Sequence, residues 1–224
     1  MTGKPTLYSY WRSSATWRVR LALNLKGIEY DVKTLDILKK EGGENLTEEY
    51  KAISPRQFVP ALVINEETTL IESMAILEYL EESYPQAKLL PSDLITRAKI
   101  RGICSLIVSG IQPLQNVGIL KSVGEEKKIE WARTWITKGF QAVEKVLEST
   151  SGKYCVGDEI TLADCCLIPQ TFNARGYLVD MTQFPNIVRI DNELKDHPAF
   201  KAAHPFSQPD CPDVDRTAEK AFSI

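Results

Sequence analysis

Two hydrophobic periods divide this chain. In the first 85 residues short apolar runs alternate with helical spacing. Residues 6–10 and 30–35 read as strands. Between them Trp17, Leu21 and Leu25 share one face of an amphipathic helix. Gly27 ends that helix, and Ile28 supplies the apolar contact beyond the cap. The charged stretch Leu38 to Glu44 contains Gly42-Gly43 and reads as a mobile loop; Thr47 to Ala52 reads as a short helix. Ala61–Ile64 and Thr68–Ile71, joined by a turn around Asn65-Glu66-Glu67, read as a hairpin. A helix follows from Ser73 to Tyr84, stopped by Pro85. The order is a βαβ unit followed by a ββα unit.

Pro85 to Ser92 reads as a short linker, and beyond it the period is helical only. Ile129, Ala132, Ile136, Phe140, Val143 and Leu147 keep helical spacing over several turns. Thr161-Leu162-Ala163-Asp164 reads as a capping box opening a buried helix, in which Cys165-Cys166 are core. Pro185 and Pro198 each fit the first position of a helix. Residues 205–224 are polar and Pro-bearing and read as a loosely packed tail. The pattern predicts an α/β domain over residues 1–85 and an all-helical domain over 92–224.

Composition narrows the function classes. The chain has 224 residues, 43% hydrophobic and 25% charged, enough for a real core. A net charge of −3 provides no basic field for nucleic acid. The start, Met1-Thr2-Gly3-Lys4-Pro5-Thr6, lacks the apolar run of a signal peptide, and no apolar stretch has membrane-spanning length. The five cysteines are odd in number and lack metal-ligand spacing, which points to reduced thiols in the cytoplasm and to no metal.

The chemistry concentrates at Tyr8 to Arg20, a strand running into a helix with Ser13 and Ser14 at its mouth. A helix N-terminus has unpaired N–H groups and the positive end of the macrodipole. Ser13 reads either as an ordinary N-cap or as a donor to a bound anion. Pro60 at the head of an apolar run marks an edge strand or a bend rather than a central strand; a cis Val59–Pro60 bond turns the Val59 backbone outward, where an extended peptide can pair. Glu72 and Ser73 stand at a second helix mouth. Together these features suit a short, anionic, thiol-bearing peptide. The mouth itself, Ser13-Ser14-Ala15-Thr16, has no thiol, so a thiol must be borrowed. Lowering a thiol pKa by two units takes roughly 2.7 kcal/mol. A hydroxyl donating to a charged sulfur contributes about 1.5–3 kcal/mol and the helix terminus about 0.3–1 kcal/mol, which suffices.

This order resembles the thioredoxin-like half of glutathione transferases. Ser13-Ser14-x-x-Trp17-Arg18-Val19-Arg20-x-Ala22-Leu23 resembles the zeta-class signature, except that Ala15 stands where that class has cysteine. Gly110-Ile111-Gln112-Pro113-Leu114-Gln115-Asn116, Tyr154 to Glu159 and Gln208-Pro209-Asp210 fit the same class. The resemblance implies glutathione as cofactor, with Ser13 facing the sulfur and Ser14 and the Ala15 N–H in support. It implies that Val59 pairs with the cysteinyl part, Glu72 holds the ammonium, Ser73 the carboxylate, and Asn45 a polar contact. Gln112 and Asn116 match positions near the cofactor and second substrate.

Arg12, Arg18, Arg20 and Arg175 are candidate carboxylate clamps, with Arg18 assigned to the cofactor and Arg12 and Arg175 to the substrate. Of Arg18 and Arg20, one is expected near the site and the other in a salt bridge or in solvent. The class arginine near 173–177 is displaced by one position here, at Arg175. His197 and His204 are read as structural. The implied activity is glutathione-dependent isomerisation of maleylacetoacetate to fumarylacetoacetate, in a cytoplasmic homodimer. The alternatives are a detoxifying transferase acting on α-halo acids and a non-enzymic scaffold.

Overall fold

The computed structural model describes residues 3–39 and 42–217. Lys40 and Glu41 of the expected loop, and 218–224 of the expected tail, lie outside the described residues. The chain divides into two compact units: one runs to Ala87 and takes in the segment from Pro198 onward; the other is Lys88–His197. Each is described by itself.

The first unit contains β1 (Thr6–Ser9), α1 (Ser14–Leu25), β2 (Asp31–Thr34), α2 (Glu48–Ile53), β3 (Ala61–Asn65), β4 (Thr68–Ile71) and α3 (Ser73–Ser83), in the expected order. The sheet order is β2-β1-β3-β4; β1 is parallel to β2 and antiparallel to β3, and β3 is antiparallel to β4. Gly27, at φ 65°, ends α1, and the Ile28 N–H closes the cap on the Leu23 carbonyl at 2.9 Å.

The expected amphipathic character of α1 is corrected. Thr16 to Leu23 are buried without a break, because α3 and α9 (Pro198–Ala203) both pack on this helix. The expected loose tail is corrected as well. Pro205, Phe206, Gln208 and Cys211 are buried, and only then comes the short α10 (Asp213–Thr217). Polar residues of this segment cap backbone groups: Gln208 Nε2 donates to the Ala202 and His204 carbonyls at 3.0 and 2.9 Å. Asp210 Oδ2 accepts the Trp11 N–H at 2.8 Å.

The second unit contains α4 (Leu94–Gly110), a 3-10 turn at Gln112–Gln115, α5 (Val117–Val123), α6 (Lys128–Thr150), α7 (Leu162–Gly176) and α8 (Pro185–Leu194). Helix α4 packs against α6 and α7. Ala132, Ile136, Phe140, Val143 and Leu147 of α6 are fully buried, as their spacing predicts. Ile129 is not: it lies in the first turn and is exposed. The capping box of α7 is present, and Asp164 accepts from the Thr161 N–H at 2.8 Å and the Cys155 N–H at 2.9 Å. No single helix among the described residues is long and apolar enough to span a membrane.

Candidate functional site

One end of the sheet gathers the candidate residues of the first unit. Tyr8 pairs with Ala61, and Ala61 pairs with Ile71. The chain therefore leaves β1 toward Ser13, enters β3 from Val59 and leaves β4 toward Ser73 at the same end of the sheet. The N-termini of α1 and α3 follow directly.

Ser13 is the N-cap of α1. Its Oγ accepts from the Thr16 N–H at 3.2 Å and from the Thr16 hydroxyl at 3.1 Å, and its own N–H donates to the Tyr10 carbonyl at 3.0 Å. Ser14 is buried and Ala15 half-buried. Their N–H groups have no hydrogen-bond partner among the described residues. The first turn of α1 thus presents two free N–H groups and the Ser13 proton at the positive end of a helix, a set of donors for an anion.

The Val59–Pro60 peptide bond is cis, as expected. Val59 lies two residues before Ala61, the first paired residue of β3. The loop before it is held by side chains. The Phe58 carbonyl accepts from the Tyr50 hydroxyl at 2.9 Å and the Ser54 hydroxyl at 3.0 Å. The Gln57 carbonyl accepts from Asn45 Nδ2 at 2.7 Å. Asn45 Oδ1 is buried without a hydrogen-bond partner and lies against Gly43. As placed, Asn45 braces the loop that presents Val59.

Ser73 is buried, and its hydroxyl accepts from the Arg18 guanidinium at 3.1 Å. Glu72 has φ 66° and does not cap α3 with its side chain. Its carboxylate is exposed and pairs with Arg56 at 3.4 Å. The Arg56 guanidinium lies 4.7 Å from the centre of the Phe58 ring. Sequence reasoning missed Arg56, because no local pattern links a loop residue to a helix start so far along the chain.

Arg12 is exposed and Arg18 buried. The expectation for the second arginine of the α1 pair is corrected: among the described residues Arg20 has no salt-bridge partner, and it is not in solvent. It is fully buried and donates to the Ala203 carbonyl, the Ser9 hydroxyl and the Trp11 carbonyl at 3.0, 3.2 and 3.0 Å. Burial lowers its pKa to about 10. Those neutral acceptors compensate the buried charge by hydrogen bonding rather than by ion pairing. Arg20 and Asp210 together grip the Trp11 peptide two residues before Ser13.

The remaining candidates lie in the second unit. Gln112 is half-buried and donates to Asn116 Oδ1 at 2.5 Å. Arg175 forms an ion pair with Asp191 at 2.5 Å, and Asp191 also accepts from the Thr171 hydroxyl at 2.9 Å.

Among the described residues this end of the sheet has donors but no thiol of its own. All five cysteines are buried. The Cys104 thiol is pushed well up by a hydrogen bond with Cys166 and by burial, and the Cys155 thiol by burial, so neither is a reactive thiolate. Among the described residues no cluster of His, Cys, Asp or Glu could hold a metal ion. A peptide carrying its own thiol and carboxylates fits the free N–H groups, the cis-proline bend at Val59 and the Glu72–Ser73 helix start.

Family models agree. Residues 12–83 match the glutathione S-transferase N-terminal domain, and residues 119–203 match the C-terminal domain. The chain is 60% identical over 209 residues to a probable maleylacetoacetate isomerase 2 of Drosophila melanogaster, covering 93% of this chain and 91% of the relative. It is 51% identical over 215 residues to the maleylacetoacetate isomerase of Mus musculus, covering 96% and 99%. Among solved structures, a maleylacetoacetate isomerase from Anaeromyxobacter dehalogenans with glutathione bound in its active site superposes with a TM-score of 0.84 at 42% identity, covering 93% of this chain and 98% of that one. A bacterial maleylpyruvate isomerase described as a zeta-class glutathione S-transferase gives a TM-score of 0.88 at 39% identity, covering 92% and 100%.

Proposed function

Because the chain belongs to the glutathione S-transferase family, in the zeta class with the maleylacetoacetate isomerases, we propose that it converts maleylacetoacetate to fumarylacetoacetate with glutathione as cofactor. This is a step in tyrosine and phenylalanine breakdown. The observation that carries the reading is a thiol-free helix mouth beside a cis-proline bend, with Ser13, Val59 and Ser73 at one end of the sheet.

Glutathione, held by Ser13, Val59, Glu72 and Ser73, would supply a thiolate for reversible addition to the activated cis double bond, the chemistry that permits rotation to the trans product and returns the cofactor unchanged. The protein's part is binding, orientation and charge stabilisation. Ser13 donates to the sulfur, and the Ser14 and Ala15 N–H groups support the negative charge. Val59 pairs through its backbone with the cysteinyl part. Glu72 takes the ammonium in competition with Arg56, and Ser73 takes the γ-glutamyl carboxylate with Arg18 behind it. Arg12, exposed beside the mouth, is the clamp for a substrate carboxylate in this unit. The region 1–85 holds glutathione and the helical region 92–224 the second substrate, through Gln112, Asn116 and Arg175. The working assembly is a cytoplasmic homodimer.

The test is maleylacetoacetate conversion with glutathione at a small fraction of substrate. Many turnovers per glutathione are expected. One glutathione consumed per product moves the assignment to a conjugating, detoxifying transferase acting on electrophiles such as α-halo acids. No conversion removes the isomerase reading.

A further inference from the structure

A serine hydroxyl has one proton to donate and two acceptor sites. At Ser13 both acceptor sites are filled from one residue, by the N–H and the hydroxyl of Thr16 at 3.2 and 3.1 Å. Capping α1 requires only the N–H. The Thr16 hydroxyl therefore does something that helix capping does not explain. Thr16 is fully buried, and a valine there would have the same shape without the cost of burying a hydroxyl. The Thr16 proton also has no other acceptor among the described residues.

We propose that Thr16 is a positioning residue: by filling the second acceptor site of Ser13 Oγ, it fixes Ser13 as a hydrogen-bond donor aimed out of the helix mouth. The inference rests on the reading that Ser13 faces the glutathione sulfur. It makes Ser13 unable to accept the thiol proton, so that proton leaves to solvent and Ser13 stabilises the thiolate only by donation. A chain of donors running from Thr16 through Ser13 to sulfur also polarises each link, which strengthens the last one. The turn before it is clamped independently, by Arg20 on the Trp11 carbonyl and Asp210 on the Trp11 N–H. The Thr16 contact thus acts on the orientation of the hydroxyl, not on the path of the backbone.

The experiment titrates the thiolate absorbance of glutathione bound to the full chain, with affinity measured in parallel. Thr16→Val is expected to raise the bound thiol pKa by about half to one pH unit, the worth of one hydrogen bond. Glutathione affinity at a pH below that pKa is expected to change little, and Thr16→Ser is expected to restore the parent value. In a Ser13→Ala background Thr16→Val is expected to add no further shift. If Thr16→Val fails to fold, Thr16→Ala carries the same comparison. A folded variant lacking the Thr16 hydroxyl, with an unchanged thiol pKa, overturns the proposal. So does an equal shift in the Ser13→Ala background. Failure of the underlying reading is distinct: there, Ser13→Ala itself leaves the thiol pKa unmoved.

Discussion

Position 15 separates what the helix mouth needs from what the zeta class usually has there. Ala15 is half-buried, and its N–H is free among the described residues. Ser13 already supplies a side-chain donor, so a thiol at position 15 adds at most one further hydrogen bond. Ala15→Cys is expected to change kcat by no more than about fivefold, the equivalent of about 1 kcal/mol. It is also expected to create a thiol of lowered pKa at the helix start, open to mixed disulfides with glutathione. Mass spectrometry after exposure to glutathione disulfide reads the second effect. Full rescue of an inactive parent by Ala15→Cys would show the cysteine to be essential and Ser13 insufficient. A second residue, His204, ties this unit to pH. Its ring packs 5.1 Å from Trp17 and 5.1 Å from Phe206, and its Nδ1 accepts the Phe206 N–H, which requires the neutral ring. Burial, then the charge of Arg20, lowers its pKa from 6.5 to about 4. The unfolded chain therefore binds the proton first. Stability is complete above about pH 6.5 and is lost as pH falls toward about 4, by up to about 3 kcal/mol at about 1.4 per unit. His204→Asn, whose carbonyl can take the same N–H, is expected to flatten that slope in urea melts. An unchanged slope would remove His204 as its source.

At the scale of elements, legibility follows locality. The strands, the Gly27 cap of α1, the capping box of α7 and the prolines opening α8 and α9 were all readable, because each depends on residues within a turn or two. The two helix mouths and the cis-proline bend were readable for the same reason, but the expectation that Pro60 heads no central strand is corrected: β3 lies between β1 and β4, and Pro60 sits just before its first residue, outside the paired ladder. Arg20, Asp210 and Arg56 were not. Each has a partner far along the chain or outside any helical or strand period: Arg20 meets Ala203 across 183 positions, Asp210 meets Trp11 across 199, and Arg56 meets Glu72 across 16. The C-terminal segment looked loose because no period reveals its contacts: Gln208 serves backbone groups four and six positions back, and Asp210 serves Trp11. Asn45 was singled out as a polar contact to the tripeptide, but its geometry adds a local role that only coordinates show. Gly43 makes that role possible, since a methyl there would overlap Asn45 Oδ1 and lie 2.7 Å from the Ile37 carbonyl oxygen. Gly43→Ala is expected to displace the Asn45 carboxamide from the Gln57 carbonyl and loosen the loop before Val59. Glutathione affinity should fall about tenfold, roughly 1.4 kcal/mol, with the fold retained. Calorimetric titration of glutathione checks this. Unchanged affinity would mean that Asn45 does not hold Val59 in its binding position.

For the whole molecule the open quantity is assembly. A chain of net charge −3 carries little self-repulsion against a second copy, and closed two-fold dimers are the commonest soluble homo-oligomers. Each unit exposes large apolar side chains, Phe58 in the first and the adjacent Leu94 and Ile95 in the second. Single exposed apolar residues are ordinary, but an adjacent pair on the first turn of α4 is a natural element of a buried contact. Sedimentation equilibrium at micromolar concentration is expected to give about twice the 25.2 kDa of one chain. Leu94→Glu with Ile95→Glu should shift that equilibrium toward monomer if α4 lies in the contact, with helix content unchanged by circular dichroism. A parent protein that sediments as a monomer would remove the dimer from the proposed function. It would leave the helix-mouth chemistry intact, because Ser13, Thr16, Val59, Glu72 and Ser73 all come from one unit of one chain.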